Sequence, residues 1–417
     1  MDFHNLTPFA AQCFTMADSK DQEYRVAVLK VGYAIECLPG QTHARLRVLD
    51  HDPVSLCLTD EYWGPVGETS VKEESDLAPF KPRCDVILHG YAHAPGGQPA
   101  RGWPVRLRLS EPAAELTKEG EVHRVLLDKT LAVRSPGIFR EGPLGWKYVA
   151  GDAVARIPLR WEQTFGGHCQ IPNEAHSRDP RQPEWLLNEA CYANPLGQGW
   201  LEKRFFRLLE RTNQPIPRVL PAPSLSYPGE WLDEPWMAHQ PEANLLPRGM
   251  AEVASRYRYR PAGFGVVGRA WTPRLQRAGT YDARWLAERW PRLPQDFDFA
   301  YWNGAPLDQQ IAWPSPRVRI ELWNVLDPRY CLDGHVSLEL PGHRAFFLAW
   351  FAGEVPFPIQ PVIDTVLIDG DQRRVSLTWR CLIPAALPVH RLEARFETSP
   401  EAPLLKWAQS TATAKEA

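Results

Sequence analysis

The chain has 417 residues, with 47 Lys plus Arg against 50 Asp plus Glu and a formal net charge of −3. With 44% hydrophobic residues, that balance excludes a strongly basic nucleic-acid binder and an acidic disordered tail protein, and the length allows two or three domains, or one elaborate one, with real cores. Seventeen Trp, 41 Pro and 28 Gly point instead to a turn-rich globule with many large rings to bury or display.

The opening stretch, MDFHNLTPFAAQCFTMADSKD, carries Asp2 and no basic n-region, so no signal peptide is expected. No window approaches eighteen uninterrupted apolar residues, so no membrane span is expected. The eight cysteines, at 13, 37, 57, 84, 169, 191, 331 and 381, contain no CxxC pair. They are expected to act as small buried hydrophobes in a reducing cytoplasm.

From 24 to 36 the run YRVAVLKVGYAIE is β-branched and nearly alternating, which predicts a strand. Strands are likewise predicted at 44–48, 84–92, 103–109 and 122–133. In WPVRLRL, Val105, Leu107 and Leu109 share one face and Arg106 and Arg108 the other, as in a half-buried strand. From 166 to 310 short pieces are separated by Pro and Gly. Helices are predicted at 199–211, where Trp200, Phe205, Leu208 and Leu209 fall near one stripe, and at 281–290, with Thr280 or Asp282 as cap and Pro291 as stop. The proline-rich stretch 212–249 reads as an irregular excursion. Strands return at 317–325, 335–340, 344–351, 361–368, 373–382 and 389–396. The predicted class is mainly β (α+β): an antiparallel scaffold from N-terminal (1–165) and C-terminal (311–398) strand groups. Between them lies a Pro/Gly/Trp-rich irregular middle (166–310) with short helices, and a tail follows at 399–417.

Chemical motifs are sparse. Gly263, Gly265 and Gly268 satisfy GxGxxG, but Pro273 follows too soon for a dinucleotide-binding helix. A tight loop passing close to something is the expected reading. His89 and His93 lie on a predicted strand, roughly 13 Å apart and too far to share a metal. His168, Cys169, His176 and Asp179 match no common zinc spacing. Arg256, Arg258 and Arg260 alternate with Tyr257 and Tyr259, as in a strand with one solvated face, and net charge gives nucleic-acid binding no support. Asp296 and Asp298 stand among Phe297, Phe299, Tyr301 and Trp302, the composition of a glycosidase cleft. An acidic face over an aromatic one explains them more simply.

Several spaced motifs together resemble a known family. They are DLAPFKPRCDVILHGYAHAPGG (76–97), PLRWEQTFGG (158–167), NPLGQGW (194–200), PAGFG (261–265), GTYDARW (279–285) and LPQDFDFAYWNGAPLDQQ (293–310), with Trp271, Pro273 and Arg274 between them. In that order they resemble adaptor proteins encoded beside the VgrG spike and PAAR tip genes of bacterial type VI secretion systems. The resemblance implies a non-catalytic chaperone that binds an effector and helps load it onto the spike, without cofactor or metal. The loops from about 194 to 310 are the expected partner surface, since Trp, Tyr and Arg supply most interface energy. Trp271, Arg274, Tyr281, Trp285, Phe297, Phe299, Tyr301 and Trp302 are its candidate contacts. The alternatives are a carbohydrate-active hydrolase using Asp296 or Asp298, and a carbohydrate-binding module.

Overall fold

The computed structural model describes residues 1–38, 40–117, 120–238, 259–351 and 356–404. Twelve strands form one large sheet: β1 (Ala10–Ala17), β2 (Glu23–Cys37), β3 (His43–Val48), β4 (Cys84–His89), β5 (Gly102–Thr117), β6 (Gly120–Arg134), β7 (Leu225–Ser226), β8 (Gln310–Ile311), β9 (Arg319–Trp323), β10 (His335–Glu339), β11 (Val362–Asp369) and β12 (Arg374–Pro384). Their order is β7-β6-β5-β9-β10-β3-β2-β12-β11-β4-β8, with β1 also paired to β2. Both predicted strand groups therefore meet in one mainly β scaffold. Most ladders are antiparallel, but β3 runs parallel to β10 and β4 to β11. Alternation of residue types carries no information about that direction.

Burial follows the residue pattern. In β5, Val105, Leu107 and Leu109 are buried, while Arg106 and Arg108 pair with Asp128 and Glu321 across the open face. At the sheet centre β2 is buried almost throughout, from Val26 to Tyr33, because both of its faces are covered. A four-stranded sheet (Asp2–Asn5, Val389–Glu397, Arg344–Phe351, Phe357–Ile359) covers one side. Its Phe347, Ala349, Leu392 and Ala394 share a core with Leu29, Val31 and Leu377.

The middle builds a second core around Phe139, Phe165, Ile171, Trp200, Leu209 and Leu232. It draws in the hairpin Gly137–Gly142/Gly145–Ala150, so packing joins that hairpin to residues beyond 165. The predicted helix at 199–211 is corrected in its first half. Gln198–Glu202 is a strand, and only Phe205–Arg211 (α1) is helical. Gly199 at φ 89° turns the chain there, a conformation open to glycine, and Glu202 accepts hydrogen bonds from the Arg204 N–H and Nε. The stretch 212–249 also holds order, with strands Val219–Ala222, Leu225–Ser226 and Trp236–Ala238. The 84–92 strand is broken at Gly90 (φ 125°), after which Tyr91–His93 pairs with Arg156–Pro158. Short helices α2 (Thr272–Leu275) and α3 (Ala283–Glu288) complete the chain. Asp282 is the α3 cap, accepting from the Trp285 N–H at 2.8 Å. All eight cysteines are free thiols, and no helix among the described residues is long and apolar enough to cross a membrane.

Candidate functional site

The segment from Pro261 to Ile311 crosses the large sheet with little regular structure, so side chains must satisfy its backbone. Asp85 on β4 is fully buried and accepts from Lys81 Nζ (2.9 Å), Asn303 Nδ2 (3.0 Å) and the backbone N–H groups of Gly304 (2.9 Å) and Ala305 (3.2 Å). Burial pulls the Lys81 pKa down, but Asp85 and Asp364 more than offset it and hold the ammonium charged. On the same seam Lys30 pairs with Glu73 and Asp76, and Arg380 with Asp364. Gln309 donates to the Val86 and Phe264 carbonyls, and buried Lys129 donates to Gly263 O, Asp308 and Gln309.

The motifs at 158–167 and 194–200 also meet. Asn194 Nδ2 donates to Trp161 O, Thr164 Oγ1 and Phe165 O within 2.8–3.0 Å. Gly166 (φ 149°) lies where a Cβ would come 2.1 Å from Asn194 O. Two of the three glycines of GFGVVG, Gly263 and Gly268, are explained by close approach, while a Cβ at Gly265 would stand at an ordinary 3.7 Å from Trp161 Nε1. A Cβ at Gly263 would stand 2.9 Å from the Trp161 ring, and one at Gly268 2.7 Å from Trp271 Nε1. The loop holds indoles where a nucleotide loop would open a helix toward phosphates.

The candidate contacts divide into two groups. Trp271, Arg274 and Phe297 are buried. Trp271 packs edge-on against Trp161 at 5.5 Å. Arg274 donates to Tyr301 O, Val267 O and Glu74, which Arg269 shares at 2.9 Å. These three side chains are packed inside the fold, with little surface left to solvent. The others reach solvent. Tyr281 is 53% exposed, and Trp285, Phe299, Tyr301 and Trp302 are half-buried. Sequence reasoning also missed four members: Leu286 (62% exposed), Trp290 (66%), Trp313 (42%) and half-buried Phe80. Leu286 and Trp290 fall within the helix predicted at 281–290, but α3 buries none of its residues. Phe80 and Trp313 lie far apart in sequence, and only folding joins them.

These rings fall into two contact groups, which together make up the belt. Tyr281, Trp285 and Trp290 pack edge-to-face with centroids 4.6 and 5.6 Å apart. Phe297 touches Tyr301 and Phe299 at 5.6 and 5.3 Å. Phe80 then bridges Phe299 at 6.1 Å and Trp313 at 6.0 Å. An open cleft of about 380 Å³ beside Trp285 is rimmed by Asp282, Arg284, Glu288, Arg289 and Asp296. Arg289 and Arg292 both pair with Asp21 and tie the α3 loop to the β1–β2 turn. A second hollow, about 280 Å³, lies between Trp161, Tyr227, Tyr259 and Leu307.

The acids of the motif act as braces. The Thr280 hydroxyl and N–H donate to Asp296 and hold its carboxyl below the usual range. Asp298 caps the turn Phe299–Trp302 through the Ala300 N–H and faces Arg277 at 3.2 Å. A glycosidase requires one carboxyl kept protonated by burial, and Asp296 has the opposite environment. Cys169 accepts from the Glu202 N–H inside the second core, and the His168 and His176 rings contact backbone carbonyls of Pro195 and Gln182. Among the described residues no cluster of three His, Cys, Asp or Glu side chains has the geometry to hold a metal ion. Arg256, Tyr257 and Arg258 lie outside the described residues. Tyr259 packs on Phe165 and Trp236, and Arg260 stacks over Tyr227 and pairs with Glu230.

A family model described as "Uncharacterized protein conserved in bacteria (DUF2169)" matches residues 20–380. The chain belongs to the DUF2169 family. No curated protein and no solved structure matches it. The DUF2169 match runs from the turn before β2 into β12, and so takes in the buried seam and the aromatic belt together.

Proposed function

We propose that the chain is a non-catalytic adaptor that binds a type VI secretion effector in the cytoplasm and assists its loading onto the VgrG/PAAR spike. The observation that supports this reading is the set of solvent-reaching rings between residues 281 and 313, exposed at Tyr281, Trp290 and Trp313 and half-buried at Trp285 and Phe299, together with half-buried Phe80. Part of it is tied to the sheet by the buried seam at Asp85. Rings already ordered lose little entropy on contact, and Trp and Tyr in apolar patches rimmed by charge are typical interface anchors. Scattered exposed apolar residues need no explanation, but contiguous ones mark interaction surfaces.

The test is co-expression with a type VI secretion effector candidate drawn from the neighbouring genes. The double substitution Leu286→Ser, Trp290→Ser is expected to abolish co-purification while the protein stays soluble and melts as before. Equal recovery of two unassociated soluble proteins from the parent pair contradicts the chaperone reading. Retention on a glycan array, lost in the same variant, transfers the belt to the carbohydrate-binding alternative.

A further inference from the structure

The hairpin Gly137–Gly142/Gly145–Ala150 joins Val219–Ala222 in a three-stranded sheet. One face packs into the second core through Phe139, Tyr148 and Leu220. The opposite face carries Ile138, Arg140, Lys147, Val149, Val219 and Pro221, of which Arg140, Lys147, Val149 and Val219 are exposed. Arg140 and Lys147 are direct register partners, and like charges placed opposite one another repel. Neither side chain forms an ion pair or hydrogen bond among the described residues, and that face holds no acid. Elsewhere exposed strands join cation to acid, as in Arg106 with Asp128, Arg319 with Glu339 and Arg47 with Glu36. A lysine on an edge strand can serve to repel other chains, but Arg140 lies on the central strand, where edge protection has no use for it.

The strand Gly145–Ala150 is the edge of this sheet. The Glu141 N–H donates to Arg218 O on the far side, at 2.9 Å, so the backbone groups of Ile138, Arg140 and Gly142 turn toward Gly145–Ala150. Val149, Lys147 and Gly145 are their register partners and bond to them in turn. Alternation leaves the N–H and C=O groups of Trp146 and Tyr148 on the open edge. No other described strand pairs there. The edge thus offers a backbone ladder with two cations on one face and the Trp146 and Tyr148 rings on the other.

We propose that this edge takes an extended segment of another polypeptide as a fourth strand, one in which acidic and apolar residues alternate. Its acidic side chains share the face of Lys147 and Arg140, and its apolar ones lie beside Trp146 and Tyr148. An added strand runs ~4.8 Å from the Lys147 backbone and about twice that from Arg140, within reach of both long side chains. Main-chain hydrogen bonds supply the affinity and the alternating faces supply the selection. A segment without acids leaves the like-charge pair in place, and a basic one adds to the repulsion. This surface belongs to the second core and stands apart from the adaptor reading, since it holds whatever the belt grips.

The test is fluorescence anisotropy of the full chain with the labelled peptide TEVEVEVET and its counterpart with Lys in place of Glu. Two further forms of the acidic peptide are N-methylated, one at the Glu residues and one at the Val residues. The acidic peptide is expected to bind, more weakly as salt rises, and the basic one not to bind. Only one of the methylated forms should bind, because strand pairing turns alternate peptide N–H groups toward the edge, whereas charge attraction alone treats both alike. Lys147→Glu should weaken binding at least about tenfold yet raise the melting temperature, since it replaces repulsion of Arg140 by attraction. Absence of binding, equal binding of the two methylated forms, or a Lys147→Glu variant that binds as the parent does overturns the proposal. So does charge-dependent association with phosphatidylglycerol vesicles in place of the peptide, which makes the face a lipid surface. Self-association lost in Lys147→Glu overturns it as well, by seating a second copy on the edge.

Discussion

Replacing Asp85 by Ala tests the ionic seam that holds the belt loops to the sheet. The substitution removes the acceptor shared by Lys81 Nζ, Asn303 Nδ2 and the N–H groups of Gly304 and Ala305; the two N–H groups are orphaned, while Asn303 Nδ2 keeps the Arg83 carbonyl at 2.8 Å. Lys81 retains the Thr365 hydroxyl at 2.9 Å and the nearby charge of Asp364, but not its direct ion pair. Removing one partner of a buried pair costs about 3–5 kcal/mol because the other charge stays buried, and each orphaned buried donor adds about 1–3 kcal/mol where water cannot reach it. Relaxation of the loop toward water limits the sum, so a loss of about 3–5 kcal/mol is expected from urea unfolding at pH 7. Hydrogen exchange monitored by mass spectrometry should show the peptide spanning 299–309 losing protection, while strands β5 and β6 exchange as before below the unfolding transition. Asp85→Asn should not rescue fully. One carboxylate oxygen serves Asn303 and Ala305 and the other serves Lys81 and Gly304, so an amide NH₂ must face two donors. A stability change under 1 kcal/mol with unchanged exchange at 299–309 would refute the pinning role of the seam.

Trp271→Ala should cost about 3–5 kcal/mol, the range for a large ring lost from a core, whereas Trp290→Ser should stay within about 0.5 kcal/mol; thermal melts separate them, and similar losses would contradict their assigned burial. Burial pushes the Lys129 ammonium down to about 8, from its usual 10.5. The unfolded chain then binds the extra proton between those values, so the stability of the parent relative to Lys129→Met should rise from pH 8 to 10.5 and be flat from pH 6 to 7.5. A relative fall across that window in urea unfolding would reverse the assignment. His89, buried against Trp63 with its Nε2 unpartnered, is lowered by burial to about 4. Here the unfolded chain takes up the proton first, so stability should drop as pH falls from 6.5 to 4, and His89→Gln should flatten that slope by a few kcal/mol over the window. An unchanged acid slope in the variant would count against a neutral buried imidazole.

The scaffold was legible because its strands carry their environment in their residues. The β-branched, nearly alternating run of β2 and the Arg/Leu alternation of β5 both mark strands, and the structure adds that β2 is covered on both faces. What failed was local. Trp200 has the spacing of a helix stripe, but Gly199 and the partners Phe165–Gly166 and Trp236–Ala238 draw it into a strand. The candidate site was half legible for a related reason. Composition marks residues 271–302 as ring-rich, yet it cannot separate Trp271, which fills the space beside Trp161, from Trp290, which faces water. Asp296 and Asp298 stand among aromatics because they brace the turns that present those rings, and a brace has the same residue type as a catalytic acid. Phe80 and Trp313 become neighbours only through the β4–β8 ladder, a long-range pairing invisible in either segment.

The most direct measurement places a photoreactive benzoylphenylalanine at Leu286 in cells that express the secretion apparatus, with the same probe at Leu144, 86% exposed on the hairpin loop of the second core, as control. Crosslinks from position 286 to one secreted effector, absent from position 144 and mapped by mass spectrometry to a single segment of that effector, are the predicted result. Equal, diffuse crosslinking from both positions, or none from 286 while the effector is secreted normally, would contradict the belt as a partner-binding surface.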